Sequence, residues 1–189
     1  MEAGRPHRRE SLSGLLWPEW PERSARANLR NVLSNLRTAI GDRDAAPPYL
    51  KITRETIQFN RASDCWVDVW TFSEWAGEQA TTGHHLEKAI ILYRGPFLDG
   101  FSGGDSPAFD DWALWVREQL AHQFSIALQA LAEQYEHQGE YEQACETAEE
   151  FDALGQRYQE QYPEIQDTLY ARLVGWSLEP AEVGPNHGT

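Results

Sequence analysis

The sequence predicts a mainly α-helical protein with one β-hairpin in its N-terminal third. Two observations carry this prediction. Apolar side chains recur at intervals of three and four residues along most of the chain, which is the spacing of amphipathic helices. Residues 49–60, YLKITRETIQFN, instead alternate with a period of two on either side of a polar centre, which is typical of a hairpin.

Two amphipathic helices are predicted before the hairpin. The first covers residues 8–17 and ends before Pro18, because proline disfavours helical geometry in the residue that precedes it. The second covers residues 23–40 and ends at Gly41, where a glycine cap is expected. Their apolar stripes consist of Leu12, Leu15 and Leu16 in the first helix and Leu29, Val32, Leu33, Leu36 and Ile40 in the second.

The second helix also carries a charged face beside its apolar stripe. At about 100° per residue, four arginines fall within an arc of roughly 60°, with Ser34 at its edge. These arginines are Arg23, Arg26, Arg30 and Arg37. Lys51 and Arg54 lie near the tip of the predicted hairpin. One side of the helix is therefore expected to pack while the neighbouring side presents guanidinium groups.

The remainder of the chain is predicted to be helical. The clearest start is Ser106-Pro107, an N-cap hydroxyl followed by proline at the first helical position, and the clearest stop is Gly139. The expected helices cover residues 68–80, 85–94, 107–138, 140–154 and 164–178, and a disordered tail is expected at 179–189.

Charge divides the chain unevenly. Residues 1–63 contain 11 Lys/Arg and 7 Asp/Glu, a net of +4, whereas residues 64–189 contain 5 and 23, a net of −18, and the two sum to the formal −14. Such asymmetry is typical of a nucleic-acid-facing end joined to a separate acidic module. We therefore predict one domain at residues 1–63 and a second at residues 64–178.

Several classes of protein are not expected. No apolar run approaches the roughly 18 residues of a membrane span, and the first residues lack the apolar centre of a signal peptide. Cys65 and Cys145 are far apart and form no CxxC motif, which favours two reduced thiols. These features predict a cytoplasmic protein that makes no contact with a membrane.

Three patterns resemble catalytic or metal sites and are given structural interpretations. Residues 100–104 fit GxSxG, but a nucleophile elbow requires a preceding buried strand, so an interhelical loop is expected. His84 and His85 are adjacent and lack zinc-ligand spacing. An acidic run is expected to be a solvated helix face; it consists of Glu146, Glu149, Glu150 and Asp152. No Walker motif occurs, and we expect no cofactor, no metal and no enzymatic activity.

The order of helix, short turn, arginine-bearing helix and hairpin is that of the second half of a winged helix-turn-helix. The run RRESLSGLLWPEW…RANLRNVLSNLRTAIGD resembles the positioning and recognition helices of the antibiotic-regulatory-protein (SARP) family, and YLKITRETIQFN resembles that family's wing. LYRGPFLDGF and SPAFDDWALWVREQL resemble its bacterial transcriptional activator domain. The resemblance spans roughly residues 5–154. It implies a winged helix that binds promoter DNA and a helical domain that contacts other proteins.

The resemblance also implies that the winged helix here is truncated. In that family several strands and a first helix precede the elements seen here, so the leucines of the first two helices would lack their usual cover.

Further along, one tetratricopeptide repeat matches by position at Leu128, Leu131, Ala132, Tyr135, Gly139, Tyr141 and Ala144. The predicted fold is therefore mainly α: a truncated winged helix-turn-helix, with two helices and a β-hairpin wing, followed by a tetratricopeptide-like helical bundle.

These features predict a DNA-binding transcriptional regulator of the activator type. The helix 23–40 is expected in the major groove of double-stranded promoter DNA. Base or phosphate contacts are expected from Arg23, Arg26 and Arg30, further hydrogen bonds from Asn31 and Ser34, and backbone phosphate contacts from Arg37, Lys51 and Arg54. The helical domain is expected to contact the transcription machinery or another protein, and a homodimer is possible.

The alternative is a protein-interaction module that does not bind DNA by itself. In that case the four arginines are a solvated helix face or pair with the helices of residues 64–178, called here the acidic helices. The surroundings of Arg23, Arg26 and Arg30 separate the two hypotheses. Salt bridges to the acidic helices would favour the interaction module, and a position beside the hairpin would favour DNA binding.

Overall fold

The computed structural model describes residues 4–77, 83–104 and 106–161, and these are mainly helical with one small sheet. In chain order the elements are β1 (His7–Arg8), α1 (Arg9–Leu16), α2 (Glu22–Ala39), β2 (Leu50–Ile52), β3 (Thr56–Phe59), α3 (Asp68–Trp75), α4 (Gly83–Leu92), α5 (Pro107–Gln138) and α6 (Tyr141–Gln161). The chain divides into two compact units, Met1–Phe124 and Ser125–Thr189. The predicted mainly α fold with a small winged sheet is confirmed. The predicted domains at 1–63 and 64–178 stay a prediction.

The sheet contains one strand more than the sequence predicts. β2 and β3 form the expected antiparallel hairpin, with Ile52 opposite Ile57. β1 pairs antiparallel with the other edge of β3, with His7 also opposite Ile57, so the strand order is β1-β3-β2. Arg8, which was predicted to lie in the first helix, is a strand residue. The wing is thus a three-stranded sheet that leads directly into α1.

The two N-terminal helices bury part of their apolar surface against each other. Ala25 and Leu29 are buried on α2, and so is Leu33, one turn further along. These residues face the core at the helical spacing that the sequence predicts. Other stripe residues of α2 keep much of their surface in solvent; Val32 is 44%, Leu36 45% and Ile40 40% exposed. The expected lack of cover therefore holds for one side of the stripe only.

An aromatic cluster forms the core of the helical part of the first unit. The ring centroid of Tyr93 lies 4.2 Å from that of Phe124 and 5.4 Å from that of Phe72. α3 begins where predicted but ends at Trp75, while α4 lies two residues earlier than the predicted 85–94. The predicted end of α3, at residue 80, lies outside the described residues.

The first turn of α5 is bonded to the winged part of the same unit. Ser106, which is buried, precedes Pro107 as the sequence predicts, and its backbone carbonyl accepts the N–H of Asp110. The Ser106 hydroxyl donates a hydrogen bond to the carbonyl oxygen of Leu15, near the end of α1. Because the hydroxyl is buried, this hydrogen bond also satisfies a group that would otherwise lose its contact with water.

The second unit contains the end of α5 and α6, with Gly139 between them at a φ of +79°. A left-handed residue at this position suits glycine, because it has no Cβ. The buried apolar residues of this unit include Ala127, Leu128, Leu131, Ala132, Ala144 and Leu154. α6 continues past the predicted end at residue 154 to Gln161. The predicted helix 164–178 and the tail 179–189 lie outside the described residues.

None of the described helices is both long enough and apolar enough to cross a membrane.

Candidate nucleic-acid interface

The predicted site residues lie at the surface of α2 and the wing. On α2 the exposed residues are Arg23, Arg26, Arg30, Asn31 and Ser34, and on the wing they are Lys51 and Arg54. Arg37 differs, because its side chain is only 32% exposed. The predicted arginine face of α2 is therefore open to solvent over its N-terminal half.

A cleft of about 620 Å³ separates α2 from the wing. Its lining includes Arg26 and Arg30 of α2. It also includes Arg54 of the wing tip, which lies more than twenty residues further along the sequence. The other lining residues are Arg9, Leu29, Ile52 and Thr53. Four arginines line this concave space, which makes it attractive to anions, and arginine suits phosphate through its bidentate fork.

Arg9 belongs to this cleft, although the sequence did not single it out. It is the first residue of α1, and its backbone N–H donates to the carbonyl oxygen of Glu55 in the wing, at 2.9 Å. Its Nε is buried and has no hydrogen-bond partner among the described residues. Because buried donors are nearly always paired, this nitrogen is suited to an acceptor that enters the cleft. The sequence signal is the pair Arg8-Arg9 at the start of the predicted first helix.

Arg26 is held by two carboxylates of the winged part itself. Its Nη1 lies 3.0 Å from Oε1 of Glu10 on α1 and 3.2 Å from Oε1 of Glu22, one turn earlier on α2. All three side chains are well exposed, so each ion pair contributes little to stability. Neither carboxylate comes from the acidic helices. A phosphate that approaches the cleft must compete with these two groups for the guanidinium of Arg26.

Arg37 joins the end of α2 to the wing. Its Nε donates to Oδ2 of Asp42 at 2.6 Å, and Oδ1 of Asp42 accepts the backbone N–H of Leu50 on β2 at 2.8 Å. Gly41, with a φ of +65°, reverses the chain so that the Asp42 side chain returns to α2. This guanidinium therefore fixes the wing to the helix, in addition to any phosphate contact.

The Asp42 carboxylate is fully buried, and its charge is stabilised by hydrogen bonds. Burial alone would raise its pKa. The hydrogen bond and charge of Arg37, together with the backbone N–H groups of Leu50 and Tyr49, outweigh burial, so the pKa of Asp42 lies below its ordinary value. Asp42 therefore stays ionised in the folded protein at neutral pH.

A threonine turn fixes the wing tip that carries Arg54. Oγ1 of Thr53 accepts the backbone N–H of Thr56 at 2.9 Å and that of Glu55 at 3.2 Å. Such turns hold a short loop without a glycine.

On α2, the hydroxyl of Ser34 accepts a long hydrogen bond, of 3.4 Å, from Nη2 of Arg43. Arg43 is thus a second cation near the predicted face that the sequence did not single out.

The patterns that resemble catalytic or metal sites have local structural roles. Ser102, in the GxSxG pattern, donates to Asp110 Oδ2 at 3.3 Å, and the N–H of Gly103 donates to Oδ1 at 2.7 Å. The loop is thereby bonded to the first turn of α5. His85 stacks on Trp75 with 6.3 Å between ring centroids. Among the residues that the structure describes, no group of three or more His, Cys, Asp or Glu side chains is placed to hold a metal ion.

Comparison with known families identifies the helical part. Residues 67–158 match the model of a family described as the bacterial transcriptional activator domain. The match assigns residues 67–158 to this domain family. The match covers α3, α4, α5 and most of α6. The resemblance to SARP-type regulators that the sequence predicts is confirmed, and this is a family of transcriptional regulators rather than of enzymes.

Part of the chain is also similar to curated transcriptional regulatory proteins. The transcriptional regulatory protein EmbR of Mycobacterium bovis is 34% identical to the chain over 106 residues, and EmbR of two strains of Mycobacterium tuberculosis matches equally. The alignment covers 50% of this chain and 27% of each relative, so the chain spans about a quarter of their length. No solved structure matches the chain significantly.

Proposed function

We propose that this chain is a cytoplasmic, DNA-binding transcriptional regulator of the activator type. It reads promoter DNA with α2 in the major groove and holds the backbone with the wing, and its helical domain contacts another protein of the transcription machinery. The observation that supports this function best is the cleft in which Arg9, Arg26, Arg30 and Arg54 face one space between α2 and the wing.

The cleft suits the sugar–phosphate backbone better than the base edges. A phosphate between α2 and the wing would lie within reach of several guanidinium groups, and such contacts fix the register of a protein on the duplex. Arg23, Asn31 and Ser34 lie on the solvent side of α2 and are the residues suited to base edges. Arginine recognises guanine through two parallel hydrogen bonds, and asparagine recognises adenine in the same way.

The alternative function is a protein-interaction module that does not bind DNA alone. The ion pairs of Arg26 with Glu10 and Glu22, and of Arg37 with Asp42, favour it, since these arginines already have partners. Those partners lie in the winged part, however, and Arg30 stands beside the wing. This arrangement supports DNA binding over the alternative.

The deciding experiment is a fluorescence-anisotropy titration of the chain with a pool of duplex DNA at several salt concentrations. We expect Arg26→Ala/Arg30→Ala to weaken binding at least about tenfold and to make the salt dependence of log affinity shallower by roughly two, since each phosphate contact contributes about 0.9 to the slope. Arg94→Ala, which removes an exposed arginine outside the cleft, is the matched control and should bind like the wild type. Absence of wild-type binding at low salt would favour the interaction module.

Replacing Glu10 by glutamine is expected to strengthen DNA binding by about two- to fivefold at low salt. The change frees the Arg26 guanidinium from one of two exposed carboxylates, each worth up to about 1 kcal/mol. The gain should shrink at high salt, where exposed charges are screened. Glu19→Gln, in the turn between α1 and α2, removes the same charge without touching Arg26 and serves as the control. An equal gain in both variants would mean that net charge, and not this ion pair, sets the affinity.

A further inference from the structure

The first half of α5 presents aromatic and acidic side chains together to solvent. Trp112 is 39% and Trp115 52% exposed, and Asp111 is also exposed. Glu118 lies one turn beyond Trp115 and is partly exposed. At about 100° per residue these four side chains fall within an arc of roughly 120°, so they form one surface, called here the α5 face.

Of the two tryptophans on the α5 face, Trp112 packs against neighbouring aromatic rings. The ring of Trp112 lies 5.9 Å from that of Phe97, edge to face, and 5.4 Å from that of Phe109. Phe101, which is 56% exposed, lies 5.9 Å from Phe109 and extends the same apolar area. Large exposed aromatic areas with fixed side chains are typical of protein-binding surfaces, and tryptophan is enriched among the residues that dominate binding energy.

The surroundings of the α5 face are negatively charged. Residues 97–119 contain five Asp/Glu and one arginine, Arg117. That guanidinium is turned to the preceding loop, where it donates to the carbonyl oxygens of Phe97 at 2.7 Å, Leu98 at 2.8 Å and Phe101 at 3.3 Å. The other charged residues in this part of α5, Asp110, Asp111 and Glu118, are acidic, which disfavours DNA as the partner of this surface.

We propose that the α5 face binds a partner protein through a segment that carries arginine or lysine beside a large apolar side chain. A cation stacks on the ring of Trp115 and pairs with Asp111 or Glu118, while the apolar side chain packs on Trp112 and Phe101. This inference rests on the proposed function, because it assigns the surface and the partner chemistry of the activator domain. The contact is distinct from the arginine cleft, which takes phosphate.

The test uses the full chain and a fluorescently labelled synthetic peptide that forms an amphipathic helix with arginine on one side and leucine on the other. A peptide with glutamine in place of every arginine is the matched probe. We expect the arginine peptide to bind, and Trp115→Ala to weaken that binding roughly tenfold. Asp111→Asn/Glu118→Gln should weaken it several-fold and flatten its salt dependence. Trp66→Ala, which removes a tryptophan that is 68% exposed but lies outside α5, should bind like the wild type.

Equal binding of both peptides, or binding unchanged by Trp115→Ala, would overturn the proposal. Sedimentation of the chain alone distinguishes another occupant: self-association that Trp115→Ala abolishes would identify a second copy of this chain and would also overturn it. DNA binding is measured on the same samples. Intact DNA binding in Trp115→Ala shows that the variant is folded. A wild type that binds the arginine peptide but no DNA would contradict the proposed function and would still support the proposed peptide binding by the α5 face.

Discussion

Replacing Phe124 by alanine is expected to lower the free energy of unfolding by about 3–5 kcal/mol, the usual cost of deleting a buried aromatic ring. Phe124 is 3% exposed, and its ring stacks on that of Tyr93 at 4.2 Å and lies 6.4 Å from that of Phe72. The substitution therefore removes the ring that α5 contributes to the core of the first unit. It leaves a cavity that the neighbouring rings can fill only in part.

Urea unfolding followed by circular dichroism measures this loss. Ile126→Ala is the matched control, because Ile126 lies two residues further along the same helix and is 46% exposed. Its stability should stay within about 0.5 kcal/mol of the wild type, as is usual for surface substitutions. If both variants unfolded at the same urea concentration as the wild type, the aromatic cluster would not be a stabilising core.

Replacing Asp42 by alanine is expected to cost about 3 kcal/mol, because one partner of a largely buried ion pair is removed and the other loses its counter-charge. The Asp42 side chain is 0% exposed and joins Arg37 of α2 to the N–H of Leu50 on β2. Its loss should loosen the wing relative to α2 and also weaken DNA binding. Asp44→Ala, an exposed aspartate in the same turn, is the control.

The stability difference between wild type and Asp42→Ala should depend on pH. The pKa of Asp42 is lowered in the folded protein, so its carboxylate contributes stability that is fully present above the ordinary aspartate pKa of about 3.9. That contribution is lost as the pH falls below this value towards the lowered pKa. Urea unfolding at neutral pH and at about pH 3 compares the full contribution with a reduced one. A difference that did not shrink in acid would mean that the charge of Asp42 is not what stabilises the turn.

The elements that the sequence predicted best are those with chemical signals at their ends. α5 begins at Pro107 and ends at Gln138 as predicted, because Ser106-Pro107 and Gly139 mark its two ends. The end of α2 is likewise marked by Gly41, and the hairpin, predicted from its alternation, agrees with the structure within one residue at each end. β1 was missed, since a strand of two residues has no alternation to detect and its partner lies some fifty residues away.

The candidate site was only partly predictable. Helical spacing was enough to place Arg23, Arg26 and Arg30 on one face of α2. It was not enough to find Arg9, because its place in the cleft depends on how α1 leaves the sheet. Arg37 was assigned to phosphate without regard to Asp42, although five residues across a glycine cap is a spacing that allows the two side chains to meet. Tertiary packing decides the place of Arg9, whereas the local chain reversal at Gly41 decides the partner of Arg37.

The hydrogen bond from Ser106 to the carbonyl of Leu15 bears on how the chain can be divided. A cut placed where the charge changes sign, near residue 63, would leave the hydroxyl in one fragment and its acceptor in the other. Both groups would then be hydrated, and the contact between the end of α1 and the start of α5 would be lost. A fragment meant to keep the proposed DNA-binding surface in its native form therefore extends at least to Phe124, the last residue of the first unit.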